Sequence, residues 1–210
     1  MDLSRRCPQC FMPLRLCLCR QAPHLKLKTR VAVIVHFREM RRTSNTGRLI
    51  PLALDNSCLC LRGRPGCPTD ARELMPEGHQ GLVLYPAECS QVLNRELIAQ
   101  YQPPFTLILL DGNWNQASRM YKREPALKGW PLVKLPPGPP SSFRLRLQSR
   151  PDRLCTFEAA ARALGIIEGQ QVQKILEDFF EMMVSRMLWA RGRIKASEVY
   201  GGLPEGMFKV

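Results

Sequence analysis

Four apolar runs, each with at least one β-branched residue, constrain this chain more than any other feature: Val31-Ala-Val-Ile-Val35, Gly81-Leu-Val-Leu-Tyr85, Thr106-Leu-Ile-Leu-Leu110 and Leu132-Val-Lys-Leu135. A strand with one wet face alternates apolar and polar residues, whereas a nearly continuous apolar run reads as a strand covered on both faces. Segments with helical spacing lie between and after these runs. Cys89 to Tyr101 carries Val92, Leu93, Leu97 and Ile98, and Asn115 to Lys122 continues directly from the third run. Thr156 to Leu164 and Val172 to Trp189 predict two closing helices, the second with Leu176, Phe179, Phe180 and Met183 on one broad apolar face. Strand and helix alternate, so the fold class is α/β with helices flanking a sheet. The stretch Leu135-Pro-Pro-Gly-Pro-Pro-Ser-Ser142 must be a shaped loop, because its four prolines remove donors and fix the backbone away from helix and sheet.

A chain of 210 residues buries one sizeable core, with room for a small appended module. The expected division is a cysteine-rich segment at 1–29, a main domain at 30–193 and a frayed tail at 194–210. Lys and Arg number 31 against 18 Asp and Glu, a net charge of +13. That balance favours a polyanionic partner, nucleic acid ahead of an acidic membrane leaflet or a merely solvated surface. No apolar run approaches the ~20 residues that span a bilayer, and Cys7 and Cys10 stand where a signal peptide would place its apolar stretch. The expectation is a cytoplasmic protein without membrane attachment, its nine cysteines reduced or bound to metal.

Cysteine spacing sharpens that last point. Cys7-Pro-Gln-Cys10 and Cys17-Leu-Cys19, six residues apart, can set four thiolates around a tetrahedral Zn2+. Unpaired thiols are the alternative, but the Cys-Pro-x-Cys pattern in a basic segment favours metal. Four cysteine ligands leave no open position, so the role is structural. Cys58, Cys60 and Cys67 lack a fourth ligand and read as buried thiols.

Ligands of open α/β sheets bind beyond the carboxyl ends of strands, which is where Asp111-Gly112-Asn113-Trp114 falls. Taken alone the segment is equally a capped turn beside a core tryptophan. Its neighbours change the balance. The ordered set comprises the N-terminal cysteine pairs, His36-Phe-Arg-Glu39 with Thr43-Ser-Asn-Thr-Gly47-Arg48-Leu49, Leu84-Tyr85-Pro86, Leu109-Leu110-Asp111-Gly-Asn-Trp114-Asn-Gln116-Ala117, and Arg144-x-Arg146 with Cys155-Thr156-Phe-Glu158-Ala159.

In order and nearly end to end, these segments resemble the DTW-domain tRNA-uridine aminocarboxypropyltransferases, relatives of the SPOUT methyltransferase superfamily. The resemblance implies a knotted, mainly parallel sheet. It also implies transfer of the 3-amino-3-carboxypropyl group of S-adenosylmethionine to N3 of a tRNA uridine, with release of 5′-methylthioadenosine. Asp111 and Trp114 become candidate catalytic residues, Asp111 either as general base or as binder of the cofactor's ammonium. Leu84, Tyr85, Pro86, Asp111, Gly112, Leu135, Thr156 and Glu158 become candidates for the cofactor. Arg41, Arg42, Arg48, Arg144 and Arg146 become candidates for RNA phosphate or the cofactor carboxylate. His36 and Glu39 read as positioning residues near the cleft.

Two departures stand out. Asn113 occupies the place of the family's Thr in Asp-x-Thr-Trp, and Cys155 that of a Ser which would cap the following helix; Thr156 then takes over the cap or the helix start is weaker. A zinc-knuckle RNA-binding protein without catalysis and an S-adenosylmethionine-dependent RNA methyltransferase are the rival readings. SPOUT relatives often dimerise, so both monomer and homodimer remain open.

Overall fold

The computed structural model describes residues 5–40, 42–63, 74–145 and 153–204. Its centre is a six-stranded sheet of β1 (Arg30–His36), β2 (Ser57–Arg62), β3 (Gln80–Leu84), β4 (Gln91–Val92), β5 (Phe105–Asp111) and β6 (Leu132–Lys134). The strand order is β2-β1-β5-β3-β6-β4 and each pairing is parallel. The four apolar runs supply β1, β3, β5 and β6. They are apolar throughout because both faces are covered: Val31, Val33, Leu107 and Leu109 face one core cluster, Ala32, Ile34, Val83 and Ile108 the other.

Among the described residues, five helices flank the sheet: α1 (Ile50–Ala53), α2 (Arg95–Ile98), α3 (Trp114–Arg123), α4 (Thr156–Ile167) and α5 (Gln170–Ala190). Helices α4 and α5 cover the first face with Phe157, Ala160, Leu164, Leu176 and Phe180, while Ala117 and Met120 of α3 lie on the second. Leu107 is fully buried at the middle of the sheet. Burying such a side chain contributes roughly 1.5–3 kcal/mol relative to leaving it exposed. No helix among the described residues is long and apolar enough to cross a membrane.

The region between β3 and β5 departs from expectation. Instead of one helix over Cys89 to Tyr101 there is the edge strand β4 and then the single turn α2. Asn94 is the reason: its extended backbone interrupts any helix across it, and its side chain accepts from Leu97 N–H at 2.7 Å as the N-cap of a new one. Nor, among the described residues, does the chain fray after Arg193. A short 3-10 turn at Ala196–Glu198 leads to a buried Val199. Tyr200 N–H then donates to Ser185 Oγ at 3.1 Å, and Arg186 Nε to Gly202 O at 3.3 Å, so the described part of the tail is docked on α5. The cysteine segment also shares the main core, since Leu16 and Leu18 are fully buried in it and Arg186 donates to Cys17 O at 3.2 Å.

Because the strands are parallel, the loops after β1, β3, β5 and β6 leave the sheet on one side. That carboxyl edge is where the candidate site lies.

Candidate active site

Asp111 is the last residue of β5, in register with Val35 of the neighbouring β1, and is 7% exposed. Thr156 and Asn45 both address its carboxylate. Thr156, the first residue of α4, donates from Oγ1 to Oδ1 at 2.5 Å, and Asn45 donates from Nδ2 to Oδ2. The Asn45 amide has its orientation fixed by a second bond, because Arg48 N–H donates to its Oδ1 at 3.1 Å. Gly47 permits the close approach: a Cβ there would lie 2.8 Å from Asp111 Oδ2. The helix after the strand is capped by Asn113, not Asp111. Asn113 Oδ1 accepts from Gln116 N–H at 2.9 Å while Gln116 Oε1 accepts from Asn113 N–H at 2.7 Å, a closed capping box. The amide that replaces the expected hydroxyl is thus engaged in the cap, and Asp111 lines the cavity without serving as that cap.

Trp114 does not join the core. Its ring is 40% exposed and carries the Arg153 guanidinium 4.6 Å from its centroid. His36 contacts Gln116 at 3.2 Å and so touches the cap of α3; burial, with the charge of Arg38, pushes its pKa below the ordinary value, leaving a neutral ring. Glu39 is buried, pairs with Arg42 at 3.2 Å and lines the cavity in front of Asp111.

Two cavities meet here. The smaller, about 230 Å3, is lined by Glu39, Asn45, Asp111, Gly112, Trp114 and Thr156 among others. The larger, about 650 Å3, runs over Leu84, Tyr85 and Pro86 after β3 and Leu135 to Pro139 after β6. Both share Gly112, Trp114, Arg153, Leu154, Cys155 and Thr156. The walls of the larger cavity are held from behind. Ser90 donates to Tyr85 O at 2.5 Å and accepts from Ala87 N–H at 3.1 Å, shaping that turn, while Tyr85 stacks on Tyr121 of α3.

The proline-rich wall is held by α4. Arg162 donates to Pro139 O at 2.7 Å and to Pro140 O at 3.2 Å. Glu158 accepts from Ser141 Oγ at 2.6 Å, Ser142 N–H at 2.7 Å and Cys155 N–H at 3.1 Å. The capping question at this helix is thereby answered: Thr156 turns to Asp111, and Glu158 reaches back to the N–H of Cys155, the N-cap residue. Glu158 lines neither cavity, so its carboxylate organises the loop that the cavity borrows. Burial and Glu158 push the Cys155 thiol well up, which keeps it protonated beside the cleft.

The predicted basic contacts separate. Arg42 and Arg144 are half-exposed, paired with Glu39 and Glu181. Arg48 is only 4% exposed and lies inside, its guanidinium 3.7 Å from the Phe11 ring centroid and donating to Met40 O, so it cannot lie along an RNA backbone. Arg41 and Arg146 fall outside the described residues, as does Cys67. Reading the sequence missed Asn45, Gly47 and Arg153. Nothing local marks the first two, which act on a strand more than sixty residues away, although both stand in the Thr43 to Leu49 segment.

The cysteine segment brings Cys7, Cys10, Cys17 and Cys19 together, all four Sγ atoms within 4.8 Å of one another. Cys7 and Cys19 lie 3.6 Å apart, Cys10 and Cys17 3.7 Å. Zn–S bonds of ~2.3 Å in a tetrahedron require S···S distances of about 3.8 Å, so the donors fit that ion. Burial opposes ionisation at Cys7, but the N–H groups of Cys10 and Gln9 outweigh it and lower its pKa to about 7; burial pushes Cys10 up to about 11. Cys58 and Cys60, side by side on β2 with sulfurs 4.0 Å apart, stand outside this cluster.

A family model described as the DTW domain matches residues 4–188. The tRNA-uridine aminocarboxypropyltransferase 2 of Drosophila melanogaster is 30% identical over 171 residues, which cover 79% of this chain and 67% of that protein. The proteins of the same name from Mus musculus and Macaca fascicularis are 28% and 27% identical, over 92% and 91% of this chain and 67% and 66% of their own lengths. The chain thus matches about two thirds of each relative's length. No solved structure matches it.

Proposed function

The chain belongs to the DTW-domain family, and from that premise we propose that it transfers the 3-amino-3-carboxypropyl group of S-adenosylmethionine to N3 of a tRNA uridine. The observation that carries this reading is the junction of two unlike cavities at Gly112, Trp114 and Thr156. The roomy one, with Leu84, Tyr85, Pro86 and Leu135, suits the adenosine; the small polar one, with Asp111, suits the amino acid arm and the incoming base. In the reaction a bond forms between N3 and the terminal methylene of the arm, the bond from that carbon to sulfur breaks, and 5′-methylthioadenosine leaves. The N3 proton must go to a base. Geometry decides which carbon moves, since three carbons flank the sulfonium and only the one in line at ~3–3.5 Å reacts.

Asp111 serves this step in one of two ways, taking the N3 proton or holding the arm's ammonium, its carboxylate being held at the cavity wall by Asn45 and Thr156. Trp114 offers its exposed ring to an unstacked base, the presentation that N3 chemistry requires. The net charge of +13 supports tRNA as the substrate. The four cysteines would hold Zn2+, which there supplies rigidity and no open coordination position. A cytoplasmic location and a knotted SPOUT-like path belong to the same reading; the parallel sheet with β3 and β6 adjacent, and the loop after β6 against α4, supports the latter.

The test is to incubate the purified protein with unmodified tRNA and S-adenosylmethionine and to follow nucleosides and the sulfur product by mass. An aminocarboxypropyl increment on uridine with methylthioadenosine is expected. A methyl increment with adenosylhomocysteine would replace the proposal by methyl transfer, and tRNA binding without any increment by a non-catalytic RNA-binding role.

A further inference from the structure

We infer that the cysteine knuckle positions the catalytic-site carboxylate through Phe11 and Arg48. Phe11 follows the second cysteine directly, and its backbone is left-handed, with φ of 60°. That conformation suits glycine and is unfavourable for an aromatic residue. The knuckle fixes it on both sides: Phe11 N–H donates to Cys7 O at 2.9 Å and Cys7 N–H to Met12 O at 2.8 Å. The ring projects out of the turn and lies under the Arg48 guanidinium at 3.7 Å. Arg48 is 4% exposed and donates to Met40 O, and its Nε has no hydrogen-bond partner among the described residues. The aromatic face is therefore a principal holder of this buried cation.

From Arg48 the contact continues to the carboxylate. Its backbone N–H turns the Asn45 amide so that Nδ2 must face Asp111 Oδ2, and the preceding Gly47 backs the same oxygen. The Arg48 charge also lies within electrostatic reach of both Asp111 and Cys10. Phe11 is thus a positioning residue, an aromatic spacer between a site built by residues 7–19 and a carboxylate one hundred positions along the chain. The catalytic part of this inference rests on the proposed reading of the Asp111 cavity; the structural part does not.

The decisive variant is Phe11→Gly, which removes the ring while suiting the left-handed backbone, measured beside Phe11→Tyr. Expected for Phe11→Gly are an unchanged zinc-to-protein ratio and an Arg48 amide that exchanges with solvent on the order of tenfold faster. Its kcat falls by on the order of tenfold with little change in KM for S-adenosylmethionine. Phe11→Tyr keeps the aromatic face and restores both. Unchanged exchange at Arg48 together with unchanged kcat in Phe11→Gly overturns the inference. Should that variant lose its metal or fail to fold, Arg48→Lys decides instead: it keeps the charge but not the planar stack, and metal retained with reduced kcat supports the relay, whereas unchanged kcat overturns it. If the wild-type protein transfers nothing to tRNA, the Arg48 exchange rate still judges the structural link apart from the function.

Discussion

The knuckle and the Asp111 cavity are built on opposite plans. Four sulfurs of one short segment, residues 7 to 19, converge on one point. Asp111 is addressed by Asn45 and Thr156, sixty-six and forty-five positions away, and by loops that only the finished sheet brings together. A local site needs the right turn; a dispersed one needs the whole fold. The two nevertheless share one core, since Leu16 and Leu18 pack with α4 and α5.

The largest effect should come from the dispersed site. Asp111→Ala is expected to cost on the order of 10³-fold in transfer while the far-UV spectrum stays native. Asp111→Asn then separates its two roles: a fall in kcat at constant KM for S-adenosylmethionine marks the base, a raised KM the ammonium holder. Near-normal turnover in Asp111→Ala would take the carboxylate out of the chemistry and break the comparison at its first term. Next comes the local site. Cys10→Ser should release the metal and lower the melting midpoint of the whole protein in a single transition, because the knuckle is continuous with the core. A separate low-temperature transition with the main one unmoved would mean that the two regions are energetically detached.

Glu158→Gln probes the anchoring of the proline-rich wall of the larger cavity. Losing a buried carboxylate that accepts from Ser141, Ser142 and Cys155 should destabilise by about 2 kcal/mol in denaturant titrations and raise KM for the cofactor more than it lowers kcat. A KM equal to that of wild type would show that the proline-rich loop keeps its shape without this anchor. Asn113 gives the smallest effect. Asn113→Ala should cost about 1 kcal/mol through the lost cap, while Asn113→Thr should stay within about 0.5 kcal/mol, because Thr also caps well. A larger activity loss than stability loss in Asn113→Thr would assign the amide a ligand beyond the cap.

Much of the architecture was legible because the sheet's burial writes itself into the chain as apolar runs: β1, β3, β5 and β6 lie where those runs are. Strand β4 was not, being two residues long with both side chains exposed, which leaves no periodicity to read. The helix expected over Cys89 to Tyr101 failed for a related reason. Val92 and Leu93 fit a helical spacing with Leu97 by coincidence, and Asn94 is a cap placed inside the supposed helix. The convergence of the four knuckle cysteines was legible from spacing alone because they are close in sequence. At the Asp111 cavity the strand end could be read, but Asn45, Gly47 and Arg153 act across the fold on partners that the linear order does not reveal. Arg48 shows the limit most plainly: an arginine in a basic chain looks like a phosphate contact, and only packing reveals it as an interior cation.

The proline-rich wall carries a consequence for how the larger cavity fills. Its prolines have little backbone freedom to lose, and Arg162 and Glu158 have already latched both its carbonyls and its serines. A ligand entering this cavity therefore meets a surface whose ordering was completed when the chain folded. Binding there need not freeze a floppy loop, and more of the contact energy is left to appear as affinity.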